Sequence, residues 1–397
     1  MFMFKLSKTL ALTIVIALTI LALAGCGQTQ STGSSSSSNS SSSDSSQQAK
    51  SDDVIKIGTL GPLTGNTATY GISTKNGVEV AVDEVNKAGG INGKQVKLFS
   101  EDTRGDQTEA ANAATKLIEQ DKVIAIVGGV LSSETMTAGP IANDAKVVMI
   151  SSSSTASGIP DIGDYIFRNC LSDDVQATQL AEYAAKDLGL KKFAIMFTNN
   201  DYGLSLKNAF EKKAKEVAQV VDIETYNDGE SDFRAQLTKI KGFNPDALYI
   251  AGYYTEAAKI AQQAQEQGLK VQILGADGFY SPKLVELGGK AVEGAIFTAG
   301  FFADDPAEAV QNFVKAYKEK YNAEPDMFAA QAYDAAKILL SAIKNANGAG
   351  GEALQAEMAK TRDFPGITGN TSFAENGDAV KDIIILKVEN GKFTKLR

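Results

Sequence analysis

Between residues 54 and 275 the chain alternates short, wholly apolar runs with longer stretches of helical period, and that alternation limits the folds open to it. Val123-Ile124-Ala125-Ile126-Val127 is the clearest run, five apolar side chains in succession. A strand with one wet face alternates polar and apolar residues, so a run like this is buried on both faces, as in a parallel sheet clad by helices. The same pattern predicts strands over 54–60, 96–100, 123–127, 147–150, 193–197, 220–226, 247–251 and 271–275. Amphipathic helices fall between them. Ala110, Ala114, Leu117 and Ile118 share one face, and Asp106, three residues before Glu109, reads as an N-cap with its capping-box partner. Repeated strand–helix–strand units force right-handed crossovers and therefore a doubly wound α/β sheet.

Two such sheets are expected, because the strand series pauses over 161–174 and restarts with a helix over 175–188, leaving four strands before the pause and at least four after it. Beyond Phe301 the pattern turns helical, over 306–321 and 326–346, and ends with strands over 382–389 and 391–396. Late segments that cross between two α/β lobes would form a multi-strand hinge. The expected division is 53–171 plus 301–380 for one lobe and 172–300 plus 381–397 for the other.

The amino terminus has a different character. Lys5 and Lys8 precede an apolar stretch from Leu10 to Ala24, and Ala24-Gly25 precede Cys26: the layout of a secretory signal peptide over 1–25. The stretch is short of the ~20 residues that span a bilayer. Leu23-Ala24-Gly25-Cys26 resembles a bacterial lipobox, which implies cleavage before Cys26, lipidation of its thiol, and a protein held at the outer side of the cell membrane by acyl chains. Residues 26–52 are dominated by serine and other small or polar residues, a composition that buries no apolar area and suits a flexible tether.

Composition narrows the chemistry. Without Lys5 and Lys8 the balance is 37 basic against 48 acidic residues, net −11, which argues against a nucleic-acid partner. The chain has no histidine, so Ser-His-Asp and Cys-His catalysis and HExxH metal sites are closed to it. It shows no GxSxG elbow and no phosphate-binding loop for a cofactor, and it has no tryptophan to serve as a sugar platform, so an enzyme is not expected. With Cys26 assigned to lipid, Cys170 stands alone and reads as a small buried hydrophobe.

Ligands of open α/β sheets bind beyond the carboxyl ends of the strands. In the first half those ends carry Gly61-Pro62-Leu63-Thr64-Gly65 leading to Tyr70, then Gly128-Gly129-Val130-Leu131-Ser132-Ser133, then Ser151-Ser152-Ser153-Ser154-Thr155. Small and hydroxylated residues ahead of helix starts favour an anion. In the second half the equivalent positions carry Asp201-Tyr202-Gly203, Gly252-Tyr253-Tyr254 and Gly275-Ala276-Asp277-Gly278, aromatics and carboxylates suited to a cation with an apolar body. Singly, each segment also suits an ordinary cap or turn.

In this order these segments, together with Gly89-Gly90-Ile91-Asn92-Gly93, Glu101-Asp102-Thr103 and Ala332-Tyr333-Asp334-Ala335, resemble the type I periplasmic binding proteins for leucine, isoleucine and valine, solute receptors of ABC importers. The resemblance runs through residues 54–397. It implies that Ser132, Ser153 and Thr155 hold the α-carboxylate of an amino acid, that Tyr253 and Asp277 bind its α-ammonium, and that Tyr70 and Tyr202 wall the side-chain pocket. Asp277 stands where some members have glutamate, and Leu131 where some have a disulfide-forming cysteine. An aromatic at Phe301 or Phe302 would close the pocket. The implied role is a monomeric, lipid-anchored receptor that closes on a branched-chain amino acid and delivers it to permease subunits. Within the same fold the alternatives are a polar amino acid, an amide, urea or an aromatic acid as ligand, or a sensor subunit in place of a transport receptor.

Overall fold

The computed structural model describes residues 54–397, so the expected signal peptide, the expected lipidation site Cys26 and the expected serine-rich tether lie outside the described residues. The first sheet is built from β1 (Val54–Gly61), β2 (Gln95–Asp102), β3 (Ala125–Gly128), β4 (Val148–Ser151) and β5 (Ile166–Arg168), all parallel, in the order β2-β1-β3-β4-β5. β1 sits between β2 and β3, pairing Ile57 with Leu98 on one side and with Ala125 on the other. Every residue of β3 and β4 is buried, which is why neither strand alternates.

Helices cover both faces of this sheet. On one side α1 (Ala68–Lys87) packs against α10 (Met327–Asn345), and their apolar stripes merge with Ile57, Ala125, Val127 and Ile150 in one core. On the other, α2 (Gln107–Thr115) and α3 (Ser132–Asp144) bury Ala114 and Ala138 against Ile126 and Met149. The expected cap of α2 is present: the Asp106 carboxylate accepts from Thr108 N at 2.8 Å and Glu109 N at 3.0 Å.

The second sheet runs β14-β13-β10-β9-β8-β6-β7. Its strands β6 (Lys192–Thr198), β7 (Gln219–Tyr226), β8 (Ala247–Ala251), β9 (Gln272–Gly275) and β10 (Ile296–Ala299) are parallel, while β13 (Ile384–Glu389) and β14 (Lys392–Lys395) add antiparallel at one edge. The helices α4 (Asp173–Lys186) and α5 (Asp201–Val217) pack on one another beside this sheet. Also in this half are α6 (Arg234–Gly242), α7 (Tyr254–Glu266) and α8 (Pro282–Gly288), whereas α9 (Glu308–Tyr321), which follows β10, is hydrogen-bonded to α1 of the first half through Tyr317, Lys320 and Tyr321. After β10 the chain returns to the first sheet with α10, α11 (Gly351–Ala359) and the short hairpin β11 (Ser372–Phe373)–β12 (Ala379–Val380), whose Phe373 joins the first core. It then crosses back to supply β13 and β14.

The strand count departs from expectation in three places, β5, β10 and the two-residue strands of the β11–β12 hairpin. The supposed pause over 161–174 holds a 3₁₀ turn, Pro160–Ile162, and β5, so the first sheet has five strands, not four. β10 was also unexpected. β5 is three residues long and ends in an arginine, and β10 is four residues long, too short for periodicity to separate them from loop. Cys170 is buried and free. Among the described residues no helix is long and apolar enough to cross a membrane, and no cluster of acidic, cysteine or histidine side chains could hold a metal ion.

Candidate functional site

A doubly wound sheet opens a crevice where neighbouring strands send their connections to opposite sides. In the first sheet that point lies between β1 and β3, in the second between β6 and β8. Residues beyond β1, β3 and β4 of the first sheet and beyond β6, β8 and β9 of the second, with one from the start of α10, line one narrow cavity bounded by Tyr70, Val130, Leu131, Ser132, Ser153, Tyr202, Tyr253, Asp277, Gly278 and Phe328. Seven of the eight expected ligand-binding residues therefore meet at one place. Thr155 does not line it; it is buried, with its hydroxyl unpartnered.

The wall from the first sheet is a set of hydroxyls at a helix start. Ser132 opens α3, and its Oγ accepts from Ala156 N at 3.2 Å, which leaves the hydroxyl proton for an acceptor in the cavity. The first-turn amides of α3 point the same way, with the positive end of the helix dipole behind them. Ser153 is different: its hydroxyl donates to Val130 O at 2.9 Å, so toward an anion it can offer only its backbone N–H. Beneath this loop lies Glu134, fully buried, whose carboxylate accepts from Val130 N at 3.1 Å, Leu131 N at 3.0 Å and the Thr103 hydroxyl. Burial pushes its pKa to about 7 against those donors. Glu134 holds the β3–α3 turn in shape, a role that sequence reasoning missed.

The opposite wall is aromatic and acidic. Tyr202 and Tyr253 stack with ring centroids 5.2 Å apart, 5° from parallel. The Tyr202 hydroxyl donates to Asp277 Oδ1 at 2.7 Å and accepts from Gly278 N at 2.9 Å. Gly278 tolerates no side chain, since a Cβ there would lie 2.6 Å from Gly252 O and 2.8 Å from the Tyr202 oxygen. Asp277 is 4% exposed, and desolvation raises its carboxyl to about 6, opposed by Tyr202 and Gln176. No cationic side chain lines the cavity.

Tyr70 joins the two walls. Its hydroxyl donates to Gly278 O at 2.5 Å and accepts from Tyr254 N at 3.2 Å, while its ring stacks on Phe328, 4.2 Å between centroids. α1 comes close enough to do this because Gly71 lies where a Cβ would meet Pro62 O at 2.0 Å. A second tie runs from the Tyr254 hydroxyl to Asn66 O at 2.8 Å. Phe328 was not foreseen: it sits in the first turn of α10, far along the chain from Tyr70, and no local pattern marks it. Phe301 and Phe302 do not close this pocket. They line a separate, solvent-open cavity beside Lys381 and Ile384, where Phe301 packs edge-on against Phe313.

Facing crevices of two doubly wound sheets, with helix-start donors on one wall and a buried carboxylate on the other, define a two-lobed α/β binding protein. The chain belongs to the periplasmic binding protein family, whose profile matches residues 54–392. It is 38% identical to a leucine-binding protein, LivK, from Thermotoga maritima, with a TM-score of 0.82 over 87% of this chain and 98% of that one. The branched-chain amino acid transporter substrate-binding protein LivJ from Streptococcus pneumoniae, solved with isoleucine, is 36% identical with a TM-score of 0.80 over 86% and 99%. A leucine-, isoleucine-, valine-, threonine- and alanine-binding protein of Pseudomonas aeruginosa is 32% identical over 82% of this chain and 87% of its own.

Proposed function

We propose that this chain is an extracytoplasmic receptor that binds a branched-chain amino acid between its two halves and presents it to an ABC importer. The observation that carries the reading is the polarity across the cavity: the start of α3 with Ser132 on one wall, the buried Asp277 on the other. A zwitterion laid across it puts its carboxylate on the donors and its ammonium on the acid. Tyr70, Leu131, Val130 and Phe328 surround an aliphatic body. The named specificities of LivK, LivJ and the Pseudomonas protein support the same choice.

In this reading the carboxylate falls to Ser132 and the Ser153 amide, with Thr155 in support, and the ammonium to Asp277 and Tyr253. The lobes divide as 53–171 plus 301–380 and 172–300 plus 381–397. Because each lobe holds one end of the ligand, binding stabilises the closed arrangement over any open one, and a permease reads that closure. Cys26 carries the lipid that keeps the receptor, a monomer without catalytic activity, at the membrane. A thermal-shift screen of the purified protein against the twenty amino acids tests the ligand: leucine, isoleucine or valine should give the largest rise in melting temperature by mass action. A shift produced by none of the twenty would reject the reading.

A further inference from the structure

Close enough to Asp277 to feel its charge lies a second buried carboxylate without a hydrogen-bond partner. Asp173 is the first residue of α4, is fully buried, and neither of its oxygens has a hydrogen-bond partner. Its own N–H donates to Thr155 O at 2.8 Å, which ties it to the segment that follows β4 and carries Ser153. Its polar neighbours are the hydroxyls of Thr155 and Ser205, without hydrogen-bond geometry to either oxygen. The Thr155 hydroxyl and the phenol of Tyr249 are likewise buried and unpartnered. Buried polar atoms normally find partners, so four orphans from three neighbouring residues mark a place built for something else.

The nearby cation, Arg168, acts on Asp173 through space but spends its hydrogen bonds elsewhere. Arg168, from β5, donates through Nε and Nη2 to Asp378 at 2.8 and 2.6 Å, and its Nη1 goes to the carbonyls of Thr155 and Ala156, both at 2.8 Å. The other titratable groups that sense Asp173 are Asp277 itself, the phenols of Tyr202, Tyr249 and Tyr253, and the thiol of Cys170, none of them cationic. One buried carboxylate, Asp277, thus lines the pocket, a second, Asp173, is buried close to it without lining the pocket, and the pocket lining supplies no positive charge.

We propose that Asp173 is a second, positioning carboxylate of the cation subsite, and that with Asp277 it makes the pocket demand a protonated amine on its ligand. The inference rests on the amino-acid reading above and adds a determinant to it. Before the ligand enters, burial and mutual repulsion keep a proton on the pair: Asp277 titrates near pH 6, and Asp173 well above the ordinary carboxylate range. The ammonium replaces that proton. It brings one positive charge and three N–H donors, the carboxyl O–H bond breaks, and the proton leaves to solvent.

The test is calorimetry on the whole protein with leucine and with 2-hydroxy-4-methylpentanoate, in which a hydroxyl replaces the amine, in buffers of different ionisation heat at pH 7.5. At that pH Asp277, titrating near 6, is about 3% protonated on its own, so a release of about half a proton or more per leucine requires the second acid. The wild type should show that release and prefer leucine over the hydroxy acid at least about a hundredfold. Asp173→Asn should lose the release and reduce the preference at least about tenfold, and Asp173→Glu should restore part of both. Leucine binding without proton release by the wild type, a result that needs no variant to fold, overturns the proposal and leaves the functional reading standing. So does a folded Asp173→Asn protein with wild-type preference. Binding of no amino acid at all overturns the reading and this proposal together.

Discussion

The two walls of the cleft solve the problem of buried polarity in opposite ways. On the first wall most hydroxyls are satisfied, chiefly by backbone carbonyls: Ser151 and Ser154 donate to Gly129 O, each at 2.9 Å, Thr135 and Ser154 share a hydrogen at 2.7 Å, and Ser153 donates to Val130 O, while Ser152 and Thr155 are left without a partner. On the second wall Asp277 has the Tyr202 hydroxyl but no countercharge, and Asp173, buried close to it, has no hydrogen-bonded partner. The first wall is a preformed rigid mould. The second is an electrostatic deficit that a cation repairs. Affinity and pH response should therefore be set mainly by the acidic wall, and shape by the hydroxyl wall.

The largest expected effect comes from removing the acid. Asp277→Ala should weaken leucine binding tenfold to a hundredfold, since a charge-assisted hydrogen bond in a desolvated site is worth roughly 1.5–3 kcal/mol. An unchanged dissociation constant in calorimetry would break the comparison at its strongest point. Ser132→Ala deletes a neutral donor on the preformed wall and should cost less, about fivefold or roughly 1 kcal/mol, because the first-turn amides of α3 remain. A loss equal to that of Asp277→Ala would show that the walls are not different in kind.

The acidic wall should also lower the stability of the ligand-free protein. The carboxyl of Asp277 titrates near 6 when folded and near 3.8 when exposed, so the folded form holds the extra proton. Its contribution is full below pH 3.8 and is lost as pH rises through 6. Asp277→Asn, which cannot ionise, should accordingly melt about 2 °C or more above the wild type at pH 8 without ligand, and show little gain at pH 4. An Asn variant less stable than the wild type at pH 8 would mean that the carboxylate is not under strain. Least of all should happen at Phe302→Ala. Phe302 lines the other cavity, so leucine affinity should stay within about twofold, and a larger loss would return it to the binding site.

Much of this was legible in the chain because burial on both faces leaves a direct trace. The runs at 54–60 and 247–251 lie within a residue of β1 and β8, and the segments that follow them carry the pocket. The strand-end rule pointed to the segments, and the family resemblance to the residues among them, Tyr70, Leu131, Ser132, Ser153, Tyr202, Tyr253 and Asp277, that line one cavity. What stayed hidden depends on distant partners. Phe328 reaches the site through the return crossing of α10, Arg168 disguises β5 because its charge is spent on Asp378, and Asp173 looks like an ordinary acid in the first turn of a helix. Thr155 was expected to hold the carboxylate; it is buried with an unpartnered hydroxyl and does not line the cavity, a distinction that spacing along a strand end does not encode.

The most direct test of the central claim is a crystal structure of the protein grown with leucine. One molecule should lie between the sheets, its carboxylate on Ser132 and the start of α3 and its ammonium on Asp277. Leucine bound in the reverse sense, or a cleft that stays empty while the crystals hold saturating leucine, would contradict it.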